Sequence, residues 1–176
     1  SGGGIINYGN DVKLINVLFK QNKNFGGTGG GALDNRGNNL FLLNVDFIEN
    51  ANVDTTFAAG GAFINEGDNV HLQNVIFKGN TASADSGSVF GGALRNLGDN
   101  MLLQNVQFEN NTATSAFGNV FGGAIANSGD NMILQNVTFN ENTAKAIGIS
   151  PEPYISSAYG GAFYNDGFRL TLQQVS

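Results

Sequence analysis

The amino-acid sequence predicts an all-β fold, a right-handed, single-stranded parallel β-helix (β-solenoid) of about six coils with three short strands per coil. Three observations predict it: a recurring Gly-Gly-Ala motif, alternation of apolar and polar residues after each motif, and an unusual composition. The chain has 26 glycines in 176 residues, and charged residues make up only 12%, about half the usual share. This composition suits strands with polar ladders and disfavours helices, because Asn and Gly are weak helix formers.

The repeat sets the length of each coil. An asparagine follows each Gly-Gly-Ala motif or its degenerate first copy, at spacings of 28, 30, 31, 31 and 38 residues. The predicted repeats span about 2–29, 30–59, 60–90, 91–121, 122–159 and 160–176. We expect them to form one β-helix domain, either a segment of a longer chain or a processed subunit.

Each repeat predicts three strands and three bends. In the third repeat, Val70, Leu72, Val75 and Phe77 alternate with other residues, which is the period of a strand. Gln73-Asn74 interrupts this alternation and predicts a bend. The Gly-Gly-Ala stretch supplies the third strand, so three strands and three bends complete one triangular coil.

Stacked coils place equivalent residues about 4.8 Å apart, which predicts ladders of like side chains. The predicted aromatic ladder contains Phe19, Phe47, Phe77, Phe108 and Phe139. The asparagines after the motif form a second ladder, comprising Asn7, Asn35, Asn65, Asn96, Asn127 and Asn165. Two more asparagine ladders start at Asn16 and Asn22. Asn tolerates left-handed backbone and bonds its neighbour's amide along a stack, so we assign all three ladders a structural role.

The segments between Phe-x-x-Asn and the next Gly-Gly-Ala vary in length, and insertions in repeat proteins collect on one face, often the binding face. Their aromatic residues form a candidate contact surface, comprising Phe25, Phe57, Phe90, Phe121, Tyr154 and Tyr159. A second interpretation stays open, in which these rings fold back and cover the coil.

The tetrapeptides Gly-Gly-Ala-(Leu/Ile/Phe) and Phe-x-x-Asn resemble the repeats of the chlamydial polymorphic membrane proteins. The second motif occurs here as 19–22, 47–50, 77–80, 108–111 and 139–142. The resemblance covers nearly the whole chain. It implies a β-helical passenger of an autotransporter that acts as an adhesin at the bacterial cell surface.

Charge and composition argue against several partners. The formal net charge is −6, whereas binding to nucleic acid or an anionic membrane needs a basic patch. No apolar run is long enough to span a bilayer, so we expect no membrane insertion by this segment. The chain has no cysteine, which excludes disulfides and thiolate metal sites.

Carboxylates recur in one column, at Asp68, Asp99 and Asp130. Neighbouring coils would bring them near the separation of a retaining glycosidase's acid pair. A Gly-Asp-Asn motif in three coils is, however, typical of a turn rather than a single catalytic site. The same column is a candidate calcium site, since oxygen-rich turns suit Ca²⁺, although solvated aspartates are the favoured interpretation. We predict no catalytic residue and no cofactor.

Three functions therefore compete. The leading prediction is a non-catalytic extracellular module of a bacterial surface protein, adhesive or structural, which binds a host or cell-surface ligand. The sequence shows no capping helix and is predicted to end flush after a whole number of coils. Such ends fit a fragment of a longer surface protein, and they fit equally a second function, a subunit that stacks end to end with itself into a filament. The third is a carbohydrate-active β-helix enzyme.

Overall fold

The computed structural model describes residues 3–26, 28–148 and 156–176. Within these residues it contains 21 strands and no helix, and all paired strands are parallel. The chain winds through the same sheets once per turn, which confirms the predicted right-handed parallel β-helix.

The strands, numbered in chain order, form four sheets. Sheet A contains β1 (Ile5–Asn7), β4 (Leu33–Asn35), β8 (Phe63–Asn65), β12 (Leu94–Asn96), β16 (Ile125–Asn127) and β20 (Phe163–Asn165). Sheet B contains β2 (Lys13–Lys20), β5 (Phe41–Ile48), β9 (His71–Lys78), β13 (Leu102–Glu109), β17 (Ile133–Asn140) and β21 (Thr171–Val175). Sheet C contains β3 (Lys23–Phe25), β6 (Ala51–Asp54), β10 (Thr81–Ala84), β14 (Thr112–Ser115) and β18 (Thr143–Ala146). Sheet D contains β7 (Ala58–Ala59), β11 (Val89–Phe90), β15 (Val120–Phe121) and β19 (Ala158–Tyr159).

The division of each coil into strands differs from the prediction. The two alternating stretches of a repeat form one bent strand of eight residues, because Asn74 and its equivalents take positive φ (54° at Asn74) while pairing continues on both sides. The segments between Phe-x-x-Asn and Gly-Gly-Ala, where no strand was predicted, supply sheets C and D. Their small residues, such as Thr81 to Ala84, carry too little apolar periodicity to predict strands.

The coil count and the ends also differ from the prediction. The chain makes about five complete turns, after which β20 and β21 begin a sixth. Among the described residues, sheets A and B have six strands, sheet C five and sheet D four. The described solenoid is therefore stepped at its ends, and the expectation of flush ends is wrong.

The core consists of in-register columns of apolar side chains. The pairing aligns Leu72 with Leu103, Val75 with Val106 and Phe77 with Phe108, as the repeat predicts. Successive rings of the predicted phenylalanine ladder lie 4.7–5.2 Å apart between centroids, with interplanar angles of 11° or less. Offset stacking of such rings stabilises the fold beyond simple burial, by roughly 0.5–1.5 kcal/mol per pair.

The two glycines of the motif serve different steric needs. Gly60, the first, takes a φ of +53°, and a Cβ there would overlap the carbonyl oxygen of Phe63. Gly92, the second in its repeat, packs against the next coil, so a Cβ would overlap the carbonyl oxygen of Gly123. A side chain at either position would push the backbone out of register.

We predict that Phe77→Ala lowers the free energy of unfolding by about 3–5 kcal/mol, because it removes a fully buried ring from the middle of the ladder. Chemical denaturation monitored by circular dichroism measures this. Phe25→Ala is the control, since that ring is 72% exposed and should change stability by less than about 0.5 kcal/mol. Equal losses in the two variants would contradict the buried ladder.

We predict that Gly92→Ala lowers the unfolding free energy by roughly 1–3 kcal/mol or more, through overlap with the next coil. Gly161→Ala is a matched control in the same motif, because no atom lies within 4 Å of a Cβ built there. Thermal unfolding of both variants tests whether only Gly92→Ala is destabilised. Equal destabilisation of Gly161→Ala would show that the second glycine is needed for its own backbone conformation and not for contact with the next coil.

Candidate functional site

The asparagines that follow the motif form a buried ladder that runs the length of the solenoid. Asn65 Nδ2 donates to Asn96 Oδ1 of the following coil, at 2.8 Å, and to the carbonyl of Gly67, at 2.7 Å. The same pair of bonds recurs in the other coils, from Asn7 to the Asn127–Asn165 contact. Both amide protons are used inside the fold, as a structural role requires.

The Phe-x-x-Asn asparagines form a second internal ladder. Asn80 Nδ2 donates to Asn111 Oδ1 at 2.9 Å and to the carbonyl of Phe47 at 2.9 Å. The Asn80 amide oxygen accepts bonds from the backbone and side chain of Asn50. These asparagines tie each coil to both neighbours, so they are unsuited to ligand contact.

The exposed asparagine ladders run in the opposite direction. Asn74 Nδ2 donates to Asn44 Oδ1 of the preceding coil at 3.1 Å, and the ladder that includes Asn100 does the same. The internal ladders donate towards the C-terminal end, whereas the exposed ones donate towards the N-terminal end. The solenoid is therefore polar along its axis, with opposite polarity inside and outside.

The aspartate column holds successive turns together. Asp68 Oδ1 accepts the backbone N–H of Asp99 at 2.9 Å, and Asp99 Oδ1 accepts that of Asp130 at 2.7 Å. Asn38 has the same role in the preceding coil, where its side chain accepts from Asp68 N–H at 2.8 Å. An amide oxygen therefore replaces the carboxylate without loss of the bond, which favours the turn interpretation of this column.

No group of three or more His, Cys, Asp or Glu side chains within residues 3–26, 28–148 and 156–176 is arranged to hold a metal ion. Calcium between Asp68, Asp99 and Asp130 thus gains no support from the geometry.

The aromatic residues of the variable segments form an outer ladder. Phe90 stacks on Phe121 at 4.7 Å, and Phe121 stacks on Tyr159 at 5.1 Å. Phe57 continues the column at 5.7 Å from Phe90, with tilted rings. Tyr164, on the outer side of sheet A, lies 4.9 Å from Phe121.

This outer ladder covers sheet A. Ile64 and Ala126, which point away from the core, are each 2% exposed. Between them in the register is Arg95, whose guanidinium lies 3.8 Å from the centroid of the Phe90 ring. The placement supports the second interpretation, in which the rings fold back onto the coil. Phe25 lies outside this group at 72% exposed, Tyr159 is 45% exposed, and Tyr154 lies outside the described residues.

Charged side chains pair along sheets A and B: Arg36 with Asp34 and Glu66, and Lys78 with Glu109. Lys78 Nζ lies 2.9 Å from Glu109 Oε1, its partner in the register of sheet B. Asp34, completely buried beneath the outer side of sheet A, lies 3.3 Å from Arg36, and this hydrogen bond raises the pKa of Arg36. The burial of Asp34 was not predicted from the sequence. Its column in sheet A contains both apolar Ile64 and charged Arg95, so the repeat does not show whether this position is covered.

The outer face of sheet B was also missed as a candidate contact surface. Ile15 and Leu18 point outward there and are 49% and 60% exposed, and Phe41, Leu43, Ile48 and Ile76 are half-buried beside them. The available signal was the break in alternation within Leu40-Phe41-Leu42-Leu43, where apolar residues occupy both faces of the strand.

His71 lies on this face, 5.0 Å from the ring of Phe41. Burial lowers its pKa from the ordinary value, and a hydrogen bond with the Gln104 side chain partly opposes this. No hydrogen-bond partner for its buried Nε2 lies among the described residues. The neutral imidazole is therefore the form that the fold favours.

Comparisons of the chain with protein-family models, with curated protein sequences and with solved structures found no match. The resemblance to the chlamydial repeats therefore stays a prediction. Within the described ranges, no helix is long and apolar enough to cross a membrane.

We predict that replacing Asp68, Asp99 and Asp130 together by Asn leaves the melting temperature unchanged or slightly raised. The amide oxygens keep the turn bonds, as Asn38 does, and the substitution removes repulsion between like charges. Thermal unfolding in EDTA and in excess calcium measures this. A calcium-dependent rise in the melting temperature of the wild type, absent from the triple variant, would instead establish a calcium site.

We predict that His71 contributes to loss of stability at mildly acidic pH. Its pKa is lower in the folded chain than the ordinary value of about 6.5, so the unfolded chain binds the proton more readily. Stability is then full above about pH 6.5 and falls as pH drops through that value towards the folded pKa. Unfolding between pH 7 and 5 is compared with His71→Leu, which matches Leu102 in the next coil, and an identical pH dependence would refute the assignment.

Proposed function

We propose that this chain is a non-catalytic, extracellular β-helical module of a bacterial surface protein, with an adhesive or structural role. The observation that carries the proposal is the contrast between inward and outward positions of the same sheet. The inward column of Leu72 contains leucine in every coil of sheet B, whereas the outward column beside it reads Ile15, Leu43, Gln73, Gln104, Gln135 and Gln173.

Constant inward residues combined with outward residues that differ between coils suit a protein that presents side chains to a binding partner. The stacked rings and the paired amides are satisfied within the fold, and they hold the outward residues on rigid strands. Residues that first suggested chemistry, such as Asp99, bond to the next turn instead. The chlamydial-type motifs point the same way, because that resemblance implies an adhesive passenger.

The proposal is tested by measuring adhesion of beads coated with the folded chain to cultured epithelial cells and to extracellular-matrix proteins. We expect binding that the soluble folded chain inhibits and the heat-unfolded chain does not. Adhesion no greater than that of uncoated beads, across cell types and matrix proteins, would remove the adhesive role and leave the structural one.

A second candidate is a subunit that stacks end to end with itself. The direction of the internal ladders favours it, because each side-chain amide donates to the oxygen of the following coil. The ladders therefore begin at the side-chain oxygens of Asn7 and Asn22 and end at the side-chain amides of Asn165 and Asn142. A copy in the same orientation would extend every ladder.

Negative-stain electron microscopy across a concentration series separates the two candidates. Fibres of constant narrow width would favour the filament, and discrete particles that persist at high concentration would favour the display module. The carbohydrate-active alternative is tested by incubating the chain with pectin, alginate and glycosaminoglycans, where cleavage of any one would refute the non-catalytic assignment.

A further inference from the structure

Exposed apolar side chains are concentrated at one end of the outer face of sheet B. On β2, Ile15 is 49% and Leu18 is 60% exposed. The next two strands add half-buried apolar side chains on the same outward side. We call this set the apolar face of sheet B; it comprises Ile15, Leu18, Phe41, Leu43, Ile48 and Ile76.

The fold does not require apolar residues at these positions. In the register, Gln104 occupies the column of Ile15, and Gln107 occupies the column of Leu18. Sheet B therefore forms equally well with glutamine at these two positions, as β13 shows. Apolar residues at equivalent exposed positions therefore call for a partner outside the chain.

The position of the face narrows the choice of partner. Its side chains point away from the solenoid axis, so a further coil paired with β2 would cover Ile15 and Leu18 only in part, as the half-buried Leu43 and Ile76 show. Strands of eight residues span about 26 Å, and three neighbouring strands span about 10 Å. A cleft of about 270 Å³ does occur, lined by Phe25, Val53, Asp54 and Asp85 among others, but it lies beside sheet C rather than on this face.

Positive charge coincides with the apolar face in an otherwise acidic chain. Residues 1–30 contain Lys13, Lys20 and Lys23 against Asp11, a net charge of +2, and the whole chain is −6, so residues 31–176 carry −8. Lys13 and Lys20 lie at the two ends of β2 and flank the apolar side chains. Asp46, half-buried in the column of Leu18, opposes them.

We propose that the apolar face of sheet B docks onto an anionic lipid surface. A lipid surface offers no pockets and requires none of its partner, whereas a protein interface concentrates its binding energy in side chains that fill pockets. Aliphatic side chains flanked by lysines combine the two signals that stable peripheral binding requires, apolar burial and attraction to anionic headgroups. Long lysine stems keep the ammonium groups in water while the aliphatic residues enter the interface.

The proposal goes beyond the adhesive role and holds whether or not the chain is an adhesin. The net charge predicts no attraction to anionic membranes, but it averages over coils of opposite sign. Binding at the interface is also compatible with the expectation that this segment does not insert into a membrane.

The test is co-sedimentation of the chain with phosphatidylcholine vesicles, with and without phosphatidylglycerol. We expect binding to the anionic vesicles alone, weakened by added salt. The Ile15→Gln, Leu18→Gln double variant should bind about tenfold more weakly. Lys13→Gln and Lys20→Gln should each weaken binding about fivefold.

The control is Leu97→Gln with Ile147→Gln, two aliphatic side chains that are 38% and 42% exposed away from this face; its binding should equal that of the wild type. Circular dichroism verifies that each variant keeps its β structure, as the native glutamines of β13 lead us to expect. Absence of binding to anionic vesicles, equal binding to neutral ones, or full binding by the Ile15, Leu18 variant would overturn the proposal. The proposal would also be overturned if the wild type did not bind vesicles and beads coated with the Ile15, Leu18 variant lost their adhesion to matrix proteins. That result would assign the face to a protein partner.

Discussion

Register between successive coils is the constraint on which this structure depends. Every coil pairs with the next through parallel strands, and the equivalent residues stack directly above one another. A shift of one residue would turn the inward side chains of a strand outward. The repeats nevertheless differ in length by up to ten residues, from 28 to 38. The chain absorbs this variation outside sheets A and B, in the segments that carry sheets C and D.

Two kinds of ladder enforce that register in different ways. Stacked phenylalanines contribute apolar burial, but an aromatic ring tolerates some sliding against its neighbour. The buried asparagines do not, because Asn65 and Asn80 each place a donor on the following coil and another on a backbone carbonyl. A misaligned coil would leave these amides unpaired in the interior, where an unsatisfied polar group costs about 1–3 kcal/mol. The rings thus supply much of the stability and the amides supply much of the specificity.

A scaffold fixed from within leaves its outer surface free to change. Along one outward column the residues pass from isoleucine and leucine to glutamine, with no change in the strands that carry them. The same freedom produces the uneven charge, basic around β2 and acidic beyond it. It also allows the outer aromatic ladder, in which Phe90 and Phe121 cover sheet A and hold Arg95 against a ring. Because the outward residues differ from coil to coil, a binding partner would meet a different surface at each coil.

The sequence by itself determined whatever recurs in every coil. The inward Leu, Val and Phe columns, the bend at Asn74 and the glycines of the motif are visible in it, because the same local requirement repeats about every thirty residues. Only the tertiary structure decided features that depend on contacts between sheets. Sheets C and D consist of small residues without an apolar period, and the burial of Asp34 has no counterpart in the repeat. The outer aromatic ladder and the apolar face of sheet B belong to the same class, since packing, rather than spacing along the chain, determines which outward residues are covered.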